Sequence, residues 1–356
     1  MGGMLEMEAK RWTKFTIGST YAVLAAFGLC TAVIDPLFHY HRPLSFLSYP
    51  LHNQRYQNDG ILRHFDYDAI IIGTSMTENF KTSEFDRLWN VSSIKVPFNG
   101  GHYKEMDRAV RQGLKNHPNI KYVLRCLDYY FLDDKDTIRT DVEYPEYLYN
   151  DNLFDDVRYL LNKEIFLDFT KPVIGCTLDG KPSDSFDAYS NWNALHPFGK
   201  EAVFSSYSYS DILFPMENAT QEDRERLKAN LEQNVLQTAR AYPDVTFYFF
   251  FPPYSICEWE RFFYSGQLVK MRELEEVVIE ELLPYENIQL FGFLDCYDIT
   301  CNLDNYKDTT HYGEWINSQI LLWISRGEHQ LTRDNYKDYL TSTREFYENY
   351  PYASLH

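Results

Sequence analysis

Basic charge is scarce in this chain: 34 Lys and Arg stand against 52 Asp and Glu, a formal net charge of −18. Broad, sequence-independent binding to nucleic acid needs basic patches that displace counterions, so that class is excluded. Long-range attraction to anionic polymers is weakened by the same repulsion, although a local basic pocket is compatible with it. Cysteine is sparse as well, with six in total. Cys30 lies in an apolar N-terminal stretch, and Cys126, Cys176, Cys257, Cys296 and Cys301 form no Cys-x-x-Cys pair. Outside the cytosol Cys296 and Cys301 are near enough in sequence to be bridged, but five is odd, so one thiol at least stays free. The ten histidines are scattered without a His-x-x-x-His pair, and no Walker-type glycine loop occurs. No metal or nucleotide cofactor is therefore expected. Internal repeats and low-complexity segments are absent too.

Aromatic residues, by contrast, are abundant at 17%. They supply core packing or, in a cleft, rings that stack on sugars or hold an acyl chain. Residues 15–34 carry no charge over 20 positions, the length that matches a bilayer's hydrocarbon layer. Lys10, Arg11 and Lys14 precede the run and Asp35 follows it. That asymmetry predicts an N-terminus inside and the rest of the chain outside. The run lacks a small-x-small cleavage site, so a signal anchor is expected rather than a removed signal peptide. Residues 1–14 then read as cytoplasmic, 15–34 as the transmembrane anchor and 35–65 as a stalk. Residues 66–330 read as the main domain, with an insertion at about 133–219, and 331–356 as a C-terminal tail.

Beyond the stalk, short apolar runs alternate with helical periods. Residues 68–73, 93–96, 122–127, 245–251 and 288–291 predict strands. Residues 82–89, 103–115, 221–242, 262–283 and 313–324 predict helices. This alternation predicts a three-layer α/β/α fold on a parallel sheet of the flavodoxin-like kind, with reactive groups at the carboxyl ends of its strands.

Ser75 follows the first strand in Gly73-Thr74-Ser75, where a glycine permits a tight turn and the hydroxyl can enter the cleft. A serine there is either a nucleophile or a helix cap. Near the other end stands Asp308-Thr-Thr-His311. Histidine is the usual base for a serine nucleophile, and a carboxylate fixes its tautomer; the alternative reading is the start of a helix. Phe98-Asn-Gly-Gly101 follows the second strand, and Leu127-Asp128-Tyr129 the third.

Taken together, these blocks resemble the SGNH (GDSL-like) hydrolase superfamily over roughly residues 66–325. The resemblance implies a catalytic triad of Ser75, Asp308 and His311, with backbone N–H groups of Ser75 and Gly100, or Gly101 in its stead, in the oxyanion hole. Thr74 stands where the family has Asp. The Gly-x-Asn-Asp block that supplies an oxyanion-hole Asn is absent, and Asp128 stands at its place, so the hole uses backbone donors alone or borrows Asn99. An ionised Asp128 cannot donate; it is a structural carboxylate of the loop or a substrate contact. Tyr254, in Phe251-Pro-Pro-Tyr-Ser255, and Trp192, in Asp187-Ala-Tyr-Ser-Asn-Trp192, are further candidate substrate contacts. A membrane-anchored domain of this kind is similar to the extracytoplasmic proteins of teichoic-acid D-alanylation and polysaccharide O-acetylation. The resemblance implies an acyl donor, a cell-surface polymer acceptor and a membrane-bound O-acyltransferase as partner. A non-catalytic envelope protein that binds glycan or recruits such a partner is the competing expectation.

Overall fold

The computed structural model describes residues 2–129, 134–207 and 212–356. Residues 66–142 and 185–356 form one compact unit, and residues 1–65 and 143–184 another.

The larger unit is built on a six-stranded sheet in the order β2-β1-β3-β4-β5-β6. Its strands are β1 (Ala69–Ile72), β2 (Ser93–Lys95), β3 (Tyr122–Cys126), β4 (Thr246–Phe251), β5 (Ile288–Gly292) and β6 (Gln330–Leu331). All neighbours are parallel except β5 and β6, which pair antiparallel. β1 reads Ala-Ile-Ile-Ile and is buried at every position, as a strand covered on both faces must be. Register stacks apolar rows across the sheet: Ile70 lies opposite Ile94 and Val123, and Phe250 opposite Phe291.

Helices flank this sheet. Helix Thr82–Trp89 packs on Glu314–Arg326, whereas Gln221–Leu231 and Tyr336–Asn349 both pack on Leu268–Leu282. The chain runs from β1 outward to β2, then returns past β1 to β3. Right-handed crossovers place the two connecting helices on opposite faces. The winding thus reverses between β1 and β3, which opens a crevice at their carboxyl ends. The predicted α/β fold with a parallel sheet is what the structure has.

Two elements differ from expectation. The single helix expected over 262–283 is two helices, Ile256–Tyr264 and Leu268–Leu282. They are separated at Gly266, which has φ +74° and where a Cβ would lie 2.2 Å from the Pro215 carbonyl oxygen; only glycine fits that approach. Residues 331–356, read as a tail, belong to the sheet unit, where Tyr347 is buried and donates to Leu294 O at 2.9 Å.

In the smaller unit, helix Gly2–Ile34 includes a stretch, Met7–Ile34, long and apolar enough to cross a membrane. Asp35, at φ +45°, closes the turn that follows. Its carboxylate accepts from the amides of His39, Tyr40 and His41 and from the Tyr159 hydroxyl. The segment read as a stalk contains helix Gln54–His64, capped by Asn53. Gly60 lets this helix approach Leu37 and Phe38 so closely that a Cβ would meet Leu37 O at 2.1 Å. Leu37, Leu148, Tyr159, Ile165 and Phe169 form the unit's core. The stretch read as one insertion therefore divides, with 143–184 here and its two ends, up to 142 and from 185, in the sheet unit.

Candidate active site

Between Ala69 and Phe80 every residue is buried except Ser75, which is half-buried. The strand ends at Ile72, and Gly73 turns the chain with φ +158°, where a Cβ would lie 2.5 Å from Thr77 Cγ2. Thr74 caps the short 3-10 turn Ser75–Thr77, so the Ser75 amide stands at the open end of that turn. Asn317, on helix Glu314–Arg326, donates to Met76 O at 3.1 Å and braces the turn from the other side.

Ser75 Oγ lies 2.7 Å from His311 Nε2. His311 Nδ1 lies 2.8 Å from Asp308 Oδ2 and 3.0 Å from Oδ1. The two ring nitrogens thus face the serine on one side and the carboxylate on the other. Asp308 also accepts from the amides of Thr310 and His311 at 2.9 and 2.8 Å and from Lys307 Nζ at 2.8 Å. Burial opposes its charge. The hydrogen bonds from His311 and Lys307 outweigh burial and hold the carboxyl well below the usual carboxylate range.

The loop that carries Asp308 and His311 is fixed to the chain just after β4. Tyr306 donates to Pro253 O at 2.6 Å, and Ser255 donates its hydroxyl and amide to Thr309 O. Thr309 Oγ1 donates to Glu258 at 2.7 Å. A Tyr306–Tyr312 bridge closes the loop on itself. The Pro252-Pro253 pair ends the strand and offers carbonyl oxygens without amides to compete for them.

Beneath the serine, Asp128 is 2% exposed at the carboxyl end of β3. Its Oδ2 accepts from Thr74 Oγ1 at 2.7 Å and its Oδ1 from Tyr254 OH at 2.8 Å. Burial pushes its carboxyl up, against hydrogen bonds from Thr74, Tyr254 and Cys126 that favour its charge. Thr74, Asp128 and Tyr254, three positions weighed separately in the sequence, form one buried cluster next to Ser75. Tyr254 is itself buried, with its ring against Tyr129.

The loop after β2 is tied to the first by Phe98 N donating to Gly73 O at 2.8 Å. Phe98 O then accepts from Gly101 N at 2.7 Å, a tight turn with Gly100 at φ +56° that leaves the Gly100 amide outside its hydrogen bond. Asn99 is exposed; its amide nitrogen donates to Glu78 at 3.3 Å. Arg139 donates to Asn99 O at 2.7 Å and Oδ1 at 3.2 Å, and lies over Gly100. Nothing in the sequence pattern pointed to Arg139.

Trp192 is half-buried and stands edge to face with His311, 5.6 Å between centroids at 89°. Lys307 Nζ lies 4.9 Å from the centre of its ring, an arrangement worth about 0.5–2 kcal/mol. Phe198 stacks on Trp192 at 6.3 Å. The rest of its motif is structural. Asp187 caps helix Thr82–Trp89 through Thr82 and Ser83, and Asn191 binds Glu314.

No protein-family model matches this chain, and no curated protein matches it. A solved structure from Streptococcus pneumonia, described provisionally as a platelet activating factor, is 12% identical and covers 80% of this chain and 90% of its own. The TM-score is 0.37, too loose a superposition to bear on activity.

Proposed function

We propose that the chain is a membrane-anchored serine esterase or O-acyltransferase acting on O-acyl groups of a cell-envelope polymer, outside the cytoplasm. The observation that carries this reading is the 2.7 Å approach of Ser75 Oγ to His311 Nε2, with Nδ1 of the same ring on Asp308. Such an arrangement makes a hydroxyl nucleophilic because a base removes its proton as the new bond forms. Ser75 Oγ attacks the acyl carbonyl and its proton passes to His311 Nε2. The tetrahedral oxyanion collects the Ser75 and Gly100 amides. Collapse breaks the bond to the leaving oxygen, which takes the proton from His311 and leaves an acyl-serine. A polymer hydroxyl or water then gives its proton to His311 and attacks the acyl carbon; collapse breaks the bond to Ser75 Oγ, which takes that proton back from His311. Asp308 holds the imidazole in the tautomer that presents Nε2 to the serine and stabilises the imidazolium. The polymer class, teichoic acid or polysaccharide, and a membrane O-acyltransferase partner rest on the resemblance of Gly73-Thr74-Ser75 and Asp308-Thr-Thr-His311 alone.

The competing reading is a non-catalytic envelope protein that binds glycan or recruits that partner. It is favoured by Asp128, an acceptor satisfied by Thr74 and Tyr254 at the place where a third oxyanion donor is absent. A fluorophosphonate probe separates the two. The full chain in detergent is expected to label, and Ser75→Ala and His311→Ala, with unchanged circular dichroism, are expected not to. A folded wild type that stays unlabelled, alone and with membrane extract, favours the binding protein.

A further inference from the structure

The apolar helix is not the sole apolar surface of its unit. Between residues 7 and 26 the helix is exposed almost all round, but from residue 27 onward its face at Gly28 and Thr31 is covered. What covers it comes from residues 143–184. Phe27 packs on Phe166 at 4.9 Å between centroids, and a Cβ on Gly28 would meet Leu161 at 3.2 Å and Leu160 at 3.8 Å. Gly28 stands six residues before the helix end at Ile34, so Leu161 and Phe166 lie about 10 Å below that end at ~1.5 Å per residue. Asp156, held by His39 and Tyr40 just past the helix end, marks the upper level. From there helix Val157–Leu160 descends toward Gly28.

Five of the eight exposed side chains between residues 153 and 167 are apolar, the other three being Arg158, Lys163 and Glu164. Phe154 is 91% exposed, Leu153 77%, Val157 55%, Leu167 45% and Leu161 41%. Isolated apolar side chains on a surface need no explanation, but five within fifteen residues, continuous with a spanning helix, form a patch. The backbone is helical over Val157–Leu160, Lys163–Ile165 and Phe166–Thr170, and in the turn before it the Phe154 and Asp155 amides donate to Asn152, so much of its hydrogen bonding is local, as a contact with the lipid boundary favours. Arg158, Lys163 and Glu164 share the segment and are exposed. Three charged side chains fit a segment at the boundary, where such groups can extend to the headgroups, and not one in mid-bilayer.

We infer that residues 153–167 form an interfacial collar around the outer end of the helix, seated in the headgroup–acyl boundary of a phospholipid bilayer. The inference rests on the helix of residues 15–34 crossing the membrane, and not on any activity. It ties this unit to the bilayer by a second contact, so the chain leaves the membrane at a fixed level and not through a free stalk.

The test uses the wild-type full chain in nanodiscs of phosphatidylcholine and phosphatidylglycerol. A diazirine is carried near the glycerol end of the acyl chain, and adducts are mapped by peptide mass spectrometry. The collar predicts adducts on 153–167 at roughly the yield found on 15–34, and about tenfold above those on the polar segment 221–228. Adducts on 15–34 with none above background on 153–167 would overturn it and point to a protein partner on the patch. Adducts on neither segment would overturn the spanning helix together with the collar. Fluorophosphonate labelling of the same sample reports on Ser75 separately, so the fate of the proposed activity stays distinguishable.

Discussion

Thr74 Oγ1 lies 2.7 Å from Asp128 Oδ2, one residue before the nucleophile candidate Ser75. Tyr254 OH holds the other oxygen of the same carboxylate. Each hydroxyl is a donor that a fully buried charge needs, so Thr74→Val and Tyr254→Phe are each expected to destabilise by about 1–3 kcal/mol. The pair should couple in a double-mutant cycle because both serve one carboxylate. Denaturant midpoints of the four proteins in detergent check this; strictly additive losses would refute the shared cluster.

Asp308→Asn keeps the shape of the site but lets the amide donate toward His311 Nδ1, which favours the wrong tautomer. The rate of probe labelling or ester turnover is expected to fall by about 10⁴-fold, with folding retained. The carboxyl is held below its ordinary value of 3.8, so its contribution to stability is complete above that pH and is lost as pH falls below it. The Tm difference between wild type and variant should be level from neutral pH down to about 4, then shrink on further acidification.

Gly73→Ala places a methyl 2.5 Å from Thr77 Cγ2 at φ +158°. The strain is expected to cost about 1–3 kcal/mol and to move Ser75 off His311. Activity should therefore fall by more than the loss of folded protein explains, which active-site titration against total folded protein measures.

Lys95 is buried in β2, with its ammonium donating to the carbonyls of Glu78 and Phe80. Burial pushes its pKa from the ordinary 10.5 down to about 7. As pH falls between these values the unfolded chain takes up the proton before the folded one, so stability drops across that window and is level below it. Wild-type Tm should accordingly climb between pH 7 and pH 10.5 relative to Lys95→Met. Parallel profiles would count against a depressed lysine.

The sequence by itself carried the sheet and the serine. Apolar runs such as 69–72 and 246–251 admit little except buried strands, and Gly73 marks the turn that leaves Ser75 half-buried. The order of Ser75 before Asp308 and His311 could be read directly, because the last two are three residues apart and lie on one loop. Other features needed the fold. Whether Asp128 and Tyr254 faced a ligand or each other depended on how the ends of β1, β3 and β4 meet, which no local pattern encodes. Trp192 was a candidate for its ring, but its place against His311 is set by Asn79, which accepts its amide from more than a hundred residues away. Arg139 carries no motif at all; its approach to Gly100 exists only because a loop after β3 passes the loop after β2. Hydrophobic period and turn chemistry act over a few residues and so are legible in the chain. The pairing of distant polar groups follows from strand order and crossover handedness, and only the tertiary structure decides it.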